Sequence, residues 1–369
     1  MKLYISSSLL QKKLPLLNHA ISSKNQLPVL SNIAIETKNG KIILSATDLE
    51  IGIQTEIHAE IIEEGEVTVP AKIFTELVST LPDENIEIIT EGNNLNVKSK
   101  KTISTFQTIE KNEFPSLYKE KGEEILIIKQ DDIQKSLSKV FFAASSDTTR
   151  PALSGIYIKN QDGKTIFVAT DGYRLSLKQM DTGEKTPVDS PILIPSRVIK
   201  ELILLKQEGD VSVFISKENN QALFFQGDTV LIGRLIESEF PSYEKIIPTS
   251  HESSAVFDRQ DLLAAVKTGA IFARETANIV KLSVQKEKIT VSANAPSVGK
   301  NSVEIETRLI GEENEIAFNA RYLLDFLSAI EEEEMVFEMT GPLNPGVFKI
   351  KDDDSFLHII MPIRVQAEN

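Results

Sequence analysis

The chain has 369 residues, 41% of them hydrophobic and 25% charged, with a formal net charge of −14. That length exceeds one ordinary core, so two or three globular domains are expected. No apolar run reaches the roughly 18 residues of a membrane span. MKLYISSSLLQKKLPLL has no signal-peptide pattern, and the lack of cysteine excludes disulfides, thiolate metal sites and thiol nucleophiles.

In chain order, each stretch of about 125 residues repeats one plan. A strand opens it, followed by a polar cap and an amphipathic helix. Alternating strands follow, such as KIILSAT (41–47) and GIQTEIHAEI (52–61). A second helix carries apolar Ile73, Phe74, Leu77, Val78 and Leu81. Strands such as NIEIITEG (85–92) and NLNVKSK (94–100) close the unit. In the second unit, EILIIKQ leads to Asp131 or Asp132 as cap. A helix is then expected over 133–144, with Ile133, Leu137, Val140, Phe141 and Ala144 on one face. In the third, AVFDRQ leads to Asp261 and LLAAVKTGAIFA.

Four series fix the period. LSATDLEI, FVATDGYRL and a weaker VSANAPS place Ala46, Ala169 and Ala293 at spacings of 123 and 124 (169 − 46, 293 − 169). The second-helix series aligns Pro70, Pro195 and Asn319. EFPSL pairs with EFPSY (Phe114, Phe240), and LPVLSNI with RPALSGI (Pro28, Pro151). The chain therefore reads as three repeats of an α+β unit, each with two helices and about eight strands. Their expected bounds are 1–120, 124–248 and 251–369.

Charge is segregated. The helices carry Lys12, Lys13, Lys72, Lys135, Lys139, Arg197, Lys200, Lys267, Arg274 and Arg321. Acids crowd into EIIEEGE (60–66), EEEE (331–334) and DDD (352–354). The total of −14 argues against nucleic acid only if the charges are mixed; helices lining one surface would make it basic. The plainer reading is that these cations solvate outer helix faces. The four histidines (His19, His58, His251, His358) have no metal-site spacing, so neither a histidine metal site nor histidine-based acid–base chemistry is expected. There is no GxxxxGK[ST] phosphate loop either.

The three-repeat plan, with LPVLSNI, ATDLEI, VPAK, ATDGYRL, FPSY and the closing MPIR (361–364), resembles the bacterial sliding clamp, the beta subunit of DNA polymerase III. The resemblance spans residues 1–365. It implies three clamp domains per chain and a head-to-tail homodimeric ring around double-stranded DNA. Twelve helices would line the hole, and the clamp would have no enzyme activity and no cofactor. Implied partners are the replicative polymerase subunit, an ATP-driven clamp loader and repair factors carrying short docking peptides, in the cytoplasm and away from membranes.

By the same resemblance, the docking pocket comprises Leu153, Thr170, Gly172, Tyr173, Arg174, Leu175, Pro241, Lys245, Ile246, Val347, Met361, Pro362, Ile363 and Arg364. Met361 and the aliphatic groups would supply an adaptable floor, and Tyr173 and Arg174 would offer donors to a peptide. Tyr173 stands where the family pattern has histidine, and VQAEN extends past MPIR. DNA contact is assigned to Lys24, Lys72, Arg150 and Arg197, and the dimer seam to Phe106, Ile271 and Phe272. Two other readings stay open at this point: a hydrolase using Asp171 and Arg174, and a scaffold that binds only proteins.

Overall fold

The computed structural model describes residues 1–21, 27–182, 191–205, 207 and 209–364. Repeat one holds β1 (Lys2–Ser6), α1 (Ser7–Leu17), β2 (Asn32–Lys38), β3 (Lys41–Thr47), β4 (Ile51–His58) and β5 (Glu60–Glu63). It continues with β6 (Glu66–Pro70), α2 (Ala71–Thr80), β7 (Asn85–Glu91), β8 (Asn94–Lys98) and β9 (Ile103–Gln107). Repeat two holds β10 (Glu123–Ile128), α3 (Gln130–Ser138), β11 (Gly155–Gln161), β12 (Lys164–Thr170) and β13 (Arg174–Asp181). Then come β14 (Ile192–Pro195), α4 (Ser196–Leu204), β15 (Val211–Ser216), β16 (Gln221–Gln226) and β17 (Thr229–Arg234). Repeat three holds β18 (Ser253–Asp258), α5 (Arg259–Ala273), β19 (Ile279–Val284), β20 (Lys288–Ala295) and β21 (Gly299–Gly311). It ends with β22 (Asn314–Asn319), α6 (Ala320–Ala329), β23 (Glu334–Met339), β24 (Gly346–Ile350) and β25 (Asp353–Ile360).

The described residues thus give each repeat two helices and eight or nine strands, all paired antiparallel. Contacts divide the chain into two compact units: Met1–Gln130 with Arg197–Leu235, and Asp131–Ser196 with Ile236–Asn369. The middle repeat contributes to both.

In the first unit, Leu10, Leu14 and Leu17 bury one face of α1, and Phe74 and Val78 bury one face of α2. The unit has a sheet ordered β5-β1-β7-β8-β9 and another ordered β10-β15-β16-β17-β4-β3-β2-β6. In the second unit, Leu262, Val266, Ala270 and Ala273 of α5 share a core with Leu323, Phe326 and Leu327 of α6. Its sheet runs β14-β11-β12-β13-β25-β24-β23-β18-β21-β20-β19-β22. Helical spacing of apolar residues against a sheet explains both cores.

Successive repeats join by one rule. The strand after the TD turn of one repeat pairs with the last strand of the next. β4 pairs with β17 from Ile51↔Gly233 to Thr55↔Thr229. β13 pairs with β25 from Arg174↔Ile360 to Lys178↔Phe356. Two strands in the corresponding positions lack this partner among the described residues. β9 pairs only with β8, and the Gly299–Glu306 stretch of β21 pairs only with β20.

Three local expectations are corrected. The helix expected over 133–144 stops at Ser138, and Phe141–Ala143 forms a 3-10 turn. Val140 leaves helical geometry (φ −122°), and the Phe142 carbonyl accepts an N–H from Arg174 at 2.8 Å. Lys139, read as a solvating cation, is buried and paired with Glu332. In repeat three the cap of α5 is Asp258, not Asp261: its carboxylate accepts the Gln260 and Asp261 N–H groups at 2.7 and 3.0 Å. No described helix is long and apolar enough to cross a membrane.

Candidate functional site

The TD turns of repeats one and two share one hydrogen-bond network. In the first, Asp48 Oδ1 accepts the Glu50 and Ile51 N–H groups, while the Thr47 hydroxyl donates to the Ile51 carbonyl. In the second, Asp171 Oδ1 accepts Tyr173 N–H (2.8 Å) and Arg174 N–H (3.0 Å), and Thr170 Oγ1 donates to the Arg174 carbonyl (2.6 Å). Leu49 (φ +78°) and Gly172 (φ +92°) occupy the same left-handed position. The acid is therefore first a turn-former.

Each turn is also tied to the second helix of the next repeat. Asp48 Oδ2 meets Arg197 Nη1 of α4 at 2.5 Å. Arg174 Nη1 meets Asp325 Oδ2 of α6 at 2.7 Å, while Arg174 Nε donates to Asp171 Oδ2 at 3.1 Å. The polarity is reversed between the two: the helix supplies the cation in one and the acid in the other. Arg174 also lies over the Tyr322 ring, 4.6 Å from its centre.

Arg174 is only 9% exposed, and its guanidinium is held by Asp171, Asp325 and the Phe142 carbonyl, so it braces the turn. Asp325, Tyr322 and Phe142 were missed. The available signal was the acid at one repeat position, Glu76, Glu201 and Asp325.

The other expected pocket residues separate into two groups. Thr170, Leu175 and Val347 are buried. Leu175 and Val347 flank Ile359 on three adjacent strands and form an apolar layer with Val168, Leu177 and Tyr243. Gly172, Tyr173, Pro241, Lys245, Ile246, Met361 and Arg364 are exposed, Tyr173 to 59%. Leu153, Pro362 and Ile363 are half-buried. The Met361 N–H donates to the Tyr173 carbonyl at 2.8 Å, which hangs the MPIR segment on the turn. VQAEN lies outside the described residues.

A cavity of about 400 Å³ opens over the same apolar layer. Its lining includes Ile166, Leu177, Tyr243, Glu244 and Ile247, none of them among the expected pocket residues. Burial and the neighbouring Glu244 push the Tyr243 phenol up to about 12, so it stays a neutral donor.

Behind Arg174, His358 is fully buried. Its Nδ1 is 2.6 Å from Ser176 Oγ, its ring stacks on Phe326, and Nε2 has no hydrogen-bond partner among the described residues. Burial, then the Arg174 charge, holds its pKa well below the usual 6.5, so the ring is neutral. No group of three or more His, Asp or Glu that could hold a metal occurs among the described residues.

Of the expected DNA contacts, Lys24 lies outside the described residues. Lys72 is exposed and has no ion pair with another described residue. Arg197 is held by Asp48, with Glu50 at 3.6 Å. Arg150 donates to Asp147 (3.0 Å) and to the Asp171 carbonyl (3.4 Å), beside the second TD turn.

Comparison with known proteins gives one answer along the whole chain. Residues 1–118, 127–242 and 244–364 match the family models described as the N-terminal, central and C-terminal domains of the DNA polymerase III beta subunit. The chain belongs to the DNA polymerase III beta subunit family.

The beta sliding clamp of Synechococcus elongatus is 29% identical over the full length of both chains. That of Staphylococcus epidermidis is 28% identical over 94% of each. Among solved structures, the sliding clamp of Bacillus subtilis matches with a TM-score of 0.94 at 26% identity, over 99% of this chain and 100% of that one. A Pseudomonas aeruginosa sliding clamp bound to griselimycin matches with 0.93 at 28% identity, over the same shares.

For a beta subunit, the three expected seam residues differ in setting. Phe106 is 8% exposed and packs edge-on against Phe74 at 5.7 Å. Ile271 is 61% exposed, and Phe272 packs half-buried on the second unit's core.

Proposed function

We propose that the chain is a processivity factor of DNA replication in which two copies close head to tail into a ring around duplex DNA. The observation that carries this reading is the pair of unpartnered strand edges. Two joints inside the chain follow one rule. β9 and the first half of β21 are the strands that the same rule would pair, and a second copy can supply the missing partner to each. Three repeats per chain and one heterologous joint used twice make a closed assembly, and closure removes the bare edges.

Every helix presents an exposed cation with no ion pair to a described residue: Lys12, Lys72, Lys135, Lys200, Lys267 and Arg321. Such cations on helices lining the hole would meet phosphates spaced about one charge per 1.7 Å of duplex. Phosphate contacts carry no sequence information, which suits sliding. Lys24, Lys72, Arg150 and Arg197 are proposed to share this role, the last two once drawn from their carboxylates.

The chain itself makes and breaks no bond; it tethers a polymerase and raises its local concentration at the primer end. The polymerase subunit, repair factors and a separate ATP-driven loader are proposed to dock through peptides on the surface made by Tyr173, Ile246 and Met361. Griselimycin on related clamps supports a ligand surface of this kind. The hydrolase reading loses its residues, because Asp171 and Arg174 are consumed in holding the turn.

Sedimentation equilibrium at micromolar concentration tests the ring. Twice the chain mass of 41.0 kDa is expected. A single-chain mass would contradict closure.

A further inference from the structure

We infer that the cavity beside Tyr243 is a second seat of the peptide-docking surface, filled by an apolar side chain and a neighbouring cation from residues that flank the docked segment. This rests on the docking reading above and deepens it.

The cavity and the docking surface stand on one sheet face. Alternate residues of a strand share a face, so Leu175, Leu177 and Gln179 of β13 lie in line. Across β12 they face Thr170, Val168 and Ile166. Leu175 also faces Ile359 of β25, which faces Val347 of β24. That row floors the expected pocket, next to the turn that carries Tyr173. The cavity opens further along the same strands, over Leu177, Ile166 and Gln179. At about 3.4 Å per residue, Leu175 is roughly 7 Å from Leu177 and roughly 14 Å from Gln179. An extended peptide covers that span with about two to four residues.

Residues 243–247 contribute to both places. Tyr243, Glu244 and Ile247 line the cavity, while Lys245 and Ile246 are exposed and belong to the expected pocket. Aromatic packing fixes Tyr243: its ring centre is 5.9 Å from Tyr157 and 6.3 Å from Phe240, and those two rings stack at 4.8 Å. The volume of about 400 Å³ falls in the range of ligand pockets, roughly 300–1,000 Å³.

The lining chooses the occupant. Ile166, Leu177, Ile247 and the Tyr243 ring make an apolar floor, and covering it favours an apolar side chain. The rim is charged. Lys164 faces Asp181 across the strands, which balances it. Asp162 and Glu244 are exposed and have no ion pair to a described residue, so the uncompensated charge is negative. A Lys or Arg next to the apolar residue would lay its stem on the floor and its head at these carboxylates. An acidic neighbour would be repelled.

Ten-residue linear peptides selected from a display library on the full chain test this. The expected peptides lose affinity on Tyr173→Ala and on Met361→Ala, and carry an apolar residue beside Lys or Arg at one end. Deleting that end weakens binding to wild type about tenfold. Gln179→Trp, which fills the cavity, is expected to bind the full peptide no better than the shortened one, and the shortened one as wild type does. Glu244→Gln costs the full peptide about threefold and the shortened one nothing. Should Gln179→Trp also lose the shortened peptide, Glu244→Gln decides alone. Full peptides that bind both variants as tightly as wild type overturn the inference while the docking surface stands. Loss on Gln179→Trp without loss on Tyr173→Ala or Met361→Ala makes the cavity a separate site and overturns it too. If no selected peptide depends on Tyr173 or Met361, the docking reading falls and this seat with it.

Discussion

Arg174 and His358 share one buried pocket, and that pairing gives the second unit a pH dependence. Neutral His358 is enclosed by Ser176, Phe142 and Phe326, with the Arg174 cation near and Asp171, Asp325 and Tyr322 grouped around that cation. Its folded pKa lies well below 6.5, so the unfolded chain takes up the proton first. Stability from this group is present above about pH 6.5 and is lost as pH falls below it. Thermal unfolding of the second unit should shift downward between about pH 7 and 5, and His358→Gln should flatten that dependence. An unchanged slope in His358→Gln would show that other groups set it. The resemblance places Tyr173 and Arg174 of FVATDGYRL as donors to a peptide. It could not reveal that Arg174 is a brace, because its partners Asp325 and Phe142 lie 151 and 32 residues away.

At the level of elements, helices and strands were legible because amphipathic period and repeat spacing agreed. The end of α3 was not: Val140, Phe141 and Ala144 keep helical spacing, yet the Arg174 guanidinium takes the Phe142 carbonyl and Lys139 turns inward to Glu332. The TD turn was legible as architecture, since Asp48 and Asp171 organise the same N–H groups. Gly172 differs from Leu49 only in conformational ease, because a Cβ there would meet nothing nearer than Arg150 Nη1 at 3.7 Å. Gly172→Ala should therefore cost about 1 kcal/mol, the ordinary penalty for a left-handed residue. Denaturant unfolding of the second unit checks this, and a loss beyond about 3 kcal/mol would mean that the turn does not tolerate the side chain that Leu49 shows it can.

For the whole molecule, the net charge of −14 misleads until position is considered. Lys12, Lys72, Lys135, Lys200, Lys267 and Arg321 on the helices have no ion pair to a described residue, whereas several strand lysines are paired, as in Lys41–Glu56 and Lys349–Glu338. Three repeats were readable from spacing. The open edges of β9 and β21 were not, because strand partners are a property of the folded sheet. Two copies that close these edges would hold DNA by topology, with contacts weak enough to slide.

Retention of loaded protein on closed circular DNA at raised salt, followed by cutting of the circle, tests this most directly. Topological holding predicts that the protein persists on the circle and leaves quickly once it is linear. Equal loss from circular and linear DNA would contradict it.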